Sequence, residues 1–248
     1  MKRFFHLLTF FFLVIAITFI SGNEISGEEE GEPAFCSKEE IADYLFSMEE
    51  VFSEIDTYNT IMTKQIRLKN KVTEKETMEI YFKKPFSVKL ISKNQDKDQV
   101  IVYIEGKNDG KMIVRLKTVI DSYVRLKVDP EGKLAMKNQL HSVKEASLGK
   151  TIDLIVKNLR RGLEENKLQL DYNGKENKYN TTLYSFTGFF NAAEEDGYFC
   201  KKAVIKVDSE LKLPREIIIY DWEDNIREWY EYLEIRLNVT ITDAVFDI

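Results

Sequence analysis

Apolar residues recur every three or four positions between residues 41 and 55, the spacing of one face of an α-helix. Ser37, with Glu40 three positions later, forms a capping box at the start of this stretch. The apolar stripe consists of Ile41, Tyr44, Leu45, Met48, Val51, Phe52 and Ile55. The sequence therefore predicts an amphipathic helix whose apolar face must be covered by another element.

From residue 57 the period changes to two, which is typical of half-buried β-strands. Five strands are predicted in succession, at 58–68, 77–83, 86–90, 100–105 and 111–116. Asp109-Gly110 between the last two supplies the positive φ angle that a tight turn needs. The pattern favours an antiparallel meander with one apolar face.

In the second half of the chain, a predicted helix is again followed by predicted strands. Residues 117–146 are less regular, and Ser147 then caps a predicted helix. Its apolar stripe consists of Leu148, Ile152, Ile155, Leu159 and Leu163. Strands are predicted at 179–190 and 199–207, followed by a hairpin from Leu213 to Leu237.

The last strand of that hairpin has an apolar and a polar side. Period two places Trp229, Leu233, Ile235 and Leu237 on one face, and Glu228, Glu234 and Arg236 on the other. We therefore predict an α+β fold, in which helices cover one face of a strongly curved antiparallel sheet.

The N-terminus is typical of a secretory signal. Met1-Lys2-Arg3 is basic, residues 4–20 are almost wholly apolar, and Ser21-Gly22 follows. We expect residues 1–22 to be a signal peptide, 23–36 an acidic linker and 37–248 a single domain in the periplasm or cell envelope. The alternative is an uncleaved N-terminal membrane anchor.

The net charge excludes one class of partner, and the two cysteines allow a disulfide. The net charge is −6, and removal of Lys2 and Arg3 makes the chain more acidic, so we exclude nucleic acid as a partner. An exported protein can pair its two cysteines, here Cys36 and Cys200. Pairing and free thiols both stay open, as does lipid attachment at Cys36.

The sequence gives little support for catalysis. His141 is the only histidine outside the signal, has no metal-ligand spacing and is expected at the surface. A Gly-x-Ser-x-Gly elbow is absent from the sequence. We expect a monomeric protein that is not an enzyme and that uses no metal or cofactor.

Five motifs occur in an order that resembles a bacterial exported family of unknown function, itself similar to the lipoprotein carriers LolA and LolB and the envelope sensor RseB. They are residues 82–86, 103–111, 128–136, 212–222 and 237–246. The resemblance implies an unclosed β-barrel of about eleven strands, wrapped around lid helices with an apolar cavity for acyl chains. An Arg-Pro pair of LolA-like carriers corresponds to Lys84-Pro85 here, which implies a lid contact at Lys84.

The candidate ligand site is the interior between helix and sheet. Its predicted lining is Tyr44, Leu45, Met48, Met62, Ile80, Phe82, Phe86, Val88, Leu90 and Trp229. Methionine and aromatic side chains suit a cavity that repacks around a flexible ligand, although the same residues could form a filled core. We expect a lipid or acyl-chain binding protein; the alternative is a sensor module of the RseB type that binds a peptide or partner on the concave sheet.

Overall fold

A computed structural model of the protein describes residues 35–93, 98–118, 120 and 122–248. The predicted signal peptide and linker residues 23–34 lie outside the described residues. The two α-helices are α1 (Lys38–Ser53) and α2 (Leu148–Glu164). The strands are β1 (Thr57–Leu68), β2 (Lys71–Val72), β3 (Glu76–Lys83), β4 (Ser87–Ser92), β5 (Gln99–Ile104), β6 (Met112–Lys117), β7 (Tyr123–Val128), β8 (Leu168–Lys178), β9 (Thr181–Phe190), β10 (Lys202–Asp208), β11 (Pro214–Tyr220) and β12 (Ile226–Leu237).

All strands belong to one antiparallel sheet with the order β7-β6-β5-β4-β3-β1-β12-β11-β10-β9-β8, and the short β2 pairs with β1. Two meanders are thus joined side by side where β1 pairs with β12. Within the described residues, β7 and β8 form the two edges, so the sheet is unclosed. The predicted α+β class, the five-strand meander and the closing hairpin are confirmed. Strand β8 was missed because much of its second half, 173–178, is polar.

Both helices start as the sequence predicts. The Ser37 hydroxyl accepts from the Glu40 amide at 3.1 Å, and the Glu40 carboxylate accepts from the Ser37 amide at 2.9 Å. At α2 the Ser147 hydroxyl accepts from the Lys150 amide at 3.1 Å. The apolar stripes then pack into one core with the concave sheet face, through fully buried residues such as Leu45 and Leu148. Among the described residues, no helix has the length and apolar composition needed to cross a bilayer.

The face assignment of β12 was wrong for its first half. In the pairing of β1 with β12, Met62 lies opposite Tyr232 and Thr60 lies opposite Ile235. A step of two residues on β1 therefore corresponds to a step of three residues on β12. This β-bulge inserts one extra residue and inverts the alternation of side chains. Glu228 therefore faces the concave interior, and Trp229 faces the outside.

The convex face is also covered in part. Val100 and Val102 of β5 pack against Ile241 and Phe246 of the C-terminal tail, forming a second small apolar cluster. Lys83 holds the same tail through Asp243 at 2.7 Å. The first meander is therefore apolar on both faces at β5, where the sequence pattern had indicated only one.

The two helices approach each other closely at Gly149. A Cβ atom built on this glycine would lie 2.3 Å from Cε1 of the Phe52 ring. That separation is far below van der Waals contact, so only glycine allows α2 to lie this close to α1.

We expect Gly149→Ala to destabilise the fold by about 1–3 kcal/mol, because the overpacked methyl group outweighs alanine's better helix propensity. In a Phe52→Leu background the same change should be much less harmful, since the ring is gone. Urea unfolding of the four proteins measures this coupling, with Glu164→Ala on the exposed face of α2 as control. A Gly149→Ala protein more stable than wild type would contradict the close approach.

Candidate functional site

A cavity of about 710 Å³ lies between the concave sheet face, α2 and the cover segment, defined here as residues 130–147. Its volume falls within the range of about 300–1,000 Å³ typical of small-molecule sites. Strands β1 and β3–β12 contribute to its wall, whereas α1 contributes Leu45. The helix over the cavity is therefore α2, and not the first helix as the sequence had suggested.

The wall is mainly aliphatic. It includes Ile66, Ile101, Val114, Leu116, Leu126, Leu154, Ile155, Leu170, Ile205, Ile217 and Ile219. Gly188 and Ala203 occupy neighbouring positions on β9 and β10, where small side chains leave room. An interior of this kind favours a flexible apolar ligand over a rigid polar one.

The predicted site residues fall into two groups. Leu45, Met62, Ile80 and Leu90 line the cavity. Met48 and Val88 are fully buried in close-packed core. The role of all six residues in ligand binding stays a prediction.

The predicted aromatic residues fill space instead of lining the cavity. Phe82 stacks on Tyr58 with ring centroids 5.0 Å apart, and Phe86 meets the Phe82 ring edge-on at 5.7 Å. Tyr44 packs against Phe35 at 5.0 Å, in an aromatic cluster with β8 and β9. The part of the interior around Phe82 is therefore filled by aromatic rings, whereas the part beneath α2 contains the cavity.

Trp229 lies outside the lining of the cavity. Its indole N–H donates to the Glu216 carboxylate at 2.8 Å, and the Lys75 ammonium lies 4.3 Å from the ring centroid. These contacts are on the convex face, because the β-bulge turns this part of β12 over.

The cavity wall contains a polar cluster that the sequence did not indicate. His141 of the cover segment contacts Glu228 of β12 through Nε2 at 2.8 Å and Glu145 through Nδ1 at 3.1 Å. The Tyr230 hydroxyl donates to the same Glu228 oxygen at 2.8 Å. The His141 side chain is 29% exposed, so the expected surface position is met in part, but the ring also ties the cover segment to a carboxylate that is only 1% exposed.

The charge state of the cluster follows from its geometry. Both ring nitrogens of His141 face carboxylate oxygens, so the ring donates to both only as an imidazolium. The hydrogen bond to Glu228 accordingly raises the pKa of His141. Burial and the Glu228 charge also raise the pKa of Tyr230, which stays a neutral donor.

The two cysteines are free in the structure, so the possible disulfide between Cys36 and Cys200 is not formed. Cys36 is exposed, whereas Cys200 is buried in the cavity wall. Burial, together with the Glu228 charge, raises the pKa of the Cys200 thiol to about 12. Such a thiol stays protonated and is a poor nucleophile, although a histidine and a glutamate line the same cavity.

Lys84 contacts the end of α1. Its ammonium group donates to the carbonyl of Ser53, the last residue of that helix, and lies 3.9 Å from the Asp56 carboxylate. A cation at a helix C-terminus is favourable, because the carbonyl groups there carry partial negative charge. Whether the contact acts as a lid latch stays a prediction. Within the part of the chain that the structure describes, no group of three acidic, histidine or cysteine side chains could hold a metal ion.

Sequence reasoning missed the cover segment and the Glu228 cluster. The irregularity of 117–146 was visible, but it carries no periodic signal that would place it on the sheet. Glu228 was assigned to the outer face because the strand was assumed to alternate without interruption. The extra residue that reverses this has no local composition signal.

Solved structures share this fold at low sequence identity. MucB matches with a TM-score of 0.50 and 10% identity, over 84% of this chain and 62% of its own. Lipoprotein LppX of Mycobacterium tuberculosis matches with a TM-score of 0.48 and 10% identity, over 83% of this chain and 99% of its own. A LolA superfamily protein of Nitrosomonas europaea matches with a TM-score of 0.34 and 8% identity, over 83% of this chain and 96% of its own. MucB is also known in complex with MucA, including a complex from Pseudomonas aeruginosa.

The likeness to MucB shows the fold alone, and that fold agrees with the unclosed, curved sheet expected from the five motifs. Among curated proteins, none matches the sequence. The model of the family described as "Protein of unknown function (DUF1571)" matches residues 55–248. Since that match spans most of the chain, the protein belongs to the DUF1571 family.

Proposed function

We propose that this protein is an exported binding protein of the cell envelope, which holds a lipid or lipoprotein acyl chain in the cavity beneath α2. The observation that carries the proposal is the aliphatic cavity of about 710 Å³ between the sheet, α2 and the cover segment. The basic and apolar pattern of residues 1–22 supports export through a signal peptide. The activity requires no covalent chemistry and no cofactor.

The energetics of such binding are favourable. Each buried CH₂ group contributes about 0.8 kcal/mol, so ten of them give about 8 kcal/mol before the costs of ordering the ligand. That gross value corresponds to a Kd on the order of 1 μM. An acyl chain could therefore be retained by the aliphatic wall alone, provided that the cover segment excludes water.

Two side chains of the cover segment bond to the sheet, since Gln139 accepts from the Lys64 ammonium of β1 and His141 contacts a carboxylate of β12. His141 reaches across to Glu228 of β12, and it also contacts Glu145 within the segment. Residues of the cover segment form part of the cavity wall, so a displacement of the segment would widen the cavity. The ion pair between His141 and Glu228 holds the segment against the sheet.

A second candidate function is a sensor module that binds a partner protein. The edge strand β7 favours it, because Tyr123, Val124 and Leu126 are all exposed apolar residues there. An uncovered edge offers unpaired backbone groups to an added strand. MucB, which shares the fold and is known in complex with MucA, gives a precedent for a protein partner.

The carrier reading predicts bound lipid in protein purified from a bacterial periplasm. Native mass spectrometry should show extra mass of lipid size that is absent under denaturing conditions. A native mass equal to that of the protein alone, together with no uptake of fluorescent acyl probes, would contradict the carrier function. It would leave partner binding as the candidate function.

Filling the cavity should abolish acyl binding without unfolding the protein. Ala203 lies on the concave face of β10 beside Gly188, so Ala203→Phe places a ring into the cavity. We expect affinity for an acyl probe to fall at least about tenfold, equivalent to about 1.4 kcal/mol. Val204→Phe, one residue along and facing the other side of the sheet, is the matched control. Equal binding by both variants would show that the ligand lies elsewhere.

The contribution of His141 to stability should depend on pH. Its folded pKa is raised above the unfolded value of about 6.5, so the stabilisation is fully present below that pH. It is lost as pH rises through the folded pKa, where the imidazolium loses its proton. Thermal unfolding between about pH 5 and about pH 9 should show the wild type exceeding His141→Gln most at the acid end. A difference that does not change with pH would mean that the ring is not charged.

A further inference from the structure

A second, smaller cavity of about 410 Å³ adjoins the main one. It is called the side pocket here. Leu154, Lys157, Asn158 and Phe199 line both cavities, so the two spaces border each other. The side pocket therefore lies next to the space assigned to the acyl chain.

The side pocket is lined by cations. Lys157 and Arg161 of α2 and Arg227 of β12 all contribute to its wall, and no acidic residue does so among the described residues. Three positive charges around one small space create a positive potential, which attracts an anion. The main cavity differs, because its lining lysines are accompanied by Glu76, Glu145, Asp153 and Glu228.

Both guanidinium groups are held in place by the protein. Arg161 donates to the carbonyls of Gly197 at 3.0 Å and Asp196 at 2.8 Å, and it lies 4.1 Å from the Tyr198 ring centroid. Arg227 donates to the Phe199 carbonyl at 3.2 Å and lies 5.3 Å from the Phe199 ring centroid. Planar groups fixed in this way lose little entropy when they bind an oxyanion.

The charges of the arginines are partly compensated, whereas that of Lys157 is not. Arg161 pairs with Glu165 at 2.8 Å, and Arg227 lies 3.5 Å from Glu228. Lys157 is exposed and makes no hydrogen bond or ion pair with the described residues. Each arginine also retains N–H groups beyond these contacts, since a guanidinium has five. The pocket therefore has donors to offer to a further acceptor.

We infer that the side pocket binds the anionic head of an amphiphile, a phosphate or carboxylate group, while its apolar chain occupies the main cavity. This inference rests on the proposed function, because it assigns a ligand class to the same cavity. Leu154 and Phe199 lie on the border between the two spaces, where the head and the chain of one amphiphile would meet. The ligand is thus an acidic lipid and not a neutral one.

The test compares two ligands that differ only in the head. 1-Palmitoyl lysophosphatidate and 1-monopalmitoylglycerol carry the same chain and glycerol, so displacement of a fluorescent acyl probe isolates the phosphate. We expect wild-type protein to prefer the phosphate form at least about tenfold. Lys157→Glu should lower the affinity for lysophosphatidate by more than the affinity for monopalmitoylglycerol, and so remove most of that preference.

The control is Lys212→Glu, which makes the same charge change on an exposed turn outside the lining of either cavity. It should behave as wild type. Equal affinity of wild type for both ligands, or an equal loss of both in Lys157→Glu, would overturn the inference while the acyl cavity stands. Inorganic phosphate that binds as tightly as lysophosphatidate would make the pocket a site for a free anion and overturn it too. Failure of both lipids to bind would overturn the proposed function along with it.

Discussion

The pairing of β1 with β12 is the constraint on which the rest of the structure depends. It joins the first long strand to the last, and it sets the register from Tyr58–Leu237 to Ile66–Glu228. Each meander follows its own helix in the chain, so this one pairing brings both helices to the same concave face. The contact spans most of the chain in sequence, which makes it entropically costly and late to form. Without it the protein would be two small sheets, each with an uncovered apolar side.

The interior within this frame is divided by side-chain volume. At the α1 end, large aromatic rings meet edge-on or stacked, and they leave no room for a ligand. Under α2 the facing positions hold branched aliphatic residues with Gly188 and Ala203, and a cavity results. The space under α2 thus differs from the filled core in side-chain size at a few positions. Polar and charged side chains also reach the cavity wall, among them His141, Glu228 and the lysines of α2.

The elements of this fold were readable because their signals are local. Caps at Ser37 and Ser147, apolar stripes and alternating strands each depend on neighbouring residues, and those predictions are confirmed. The site depends on non-local facts. Which helix lies over the open space, which aromatic side chains fill their own volume and how the cover segment crosses the sheet are decided by packing between distant elements. For that reason, four of the predicted lining residues reach the cavity, while Trp229 points away from it.

Because of the bulge between Tyr232 and Ile235, the number of residues in β12 decides which of its side chains face the cavity. Side chains on a strand alternate between the two faces of the sheet, and one extra residue moves every side chain on its N-terminal side to the opposite face. A deletion of one residue there would bring Trp229 and Glu231 inside and send Glu228, Tyr230 and Tyr232 out. The polar wall of the cavity would become an indole surface without any substitution. Among related chains, insertions and deletions in this strand are therefore as capable of changing ligand preference as changes of residue type.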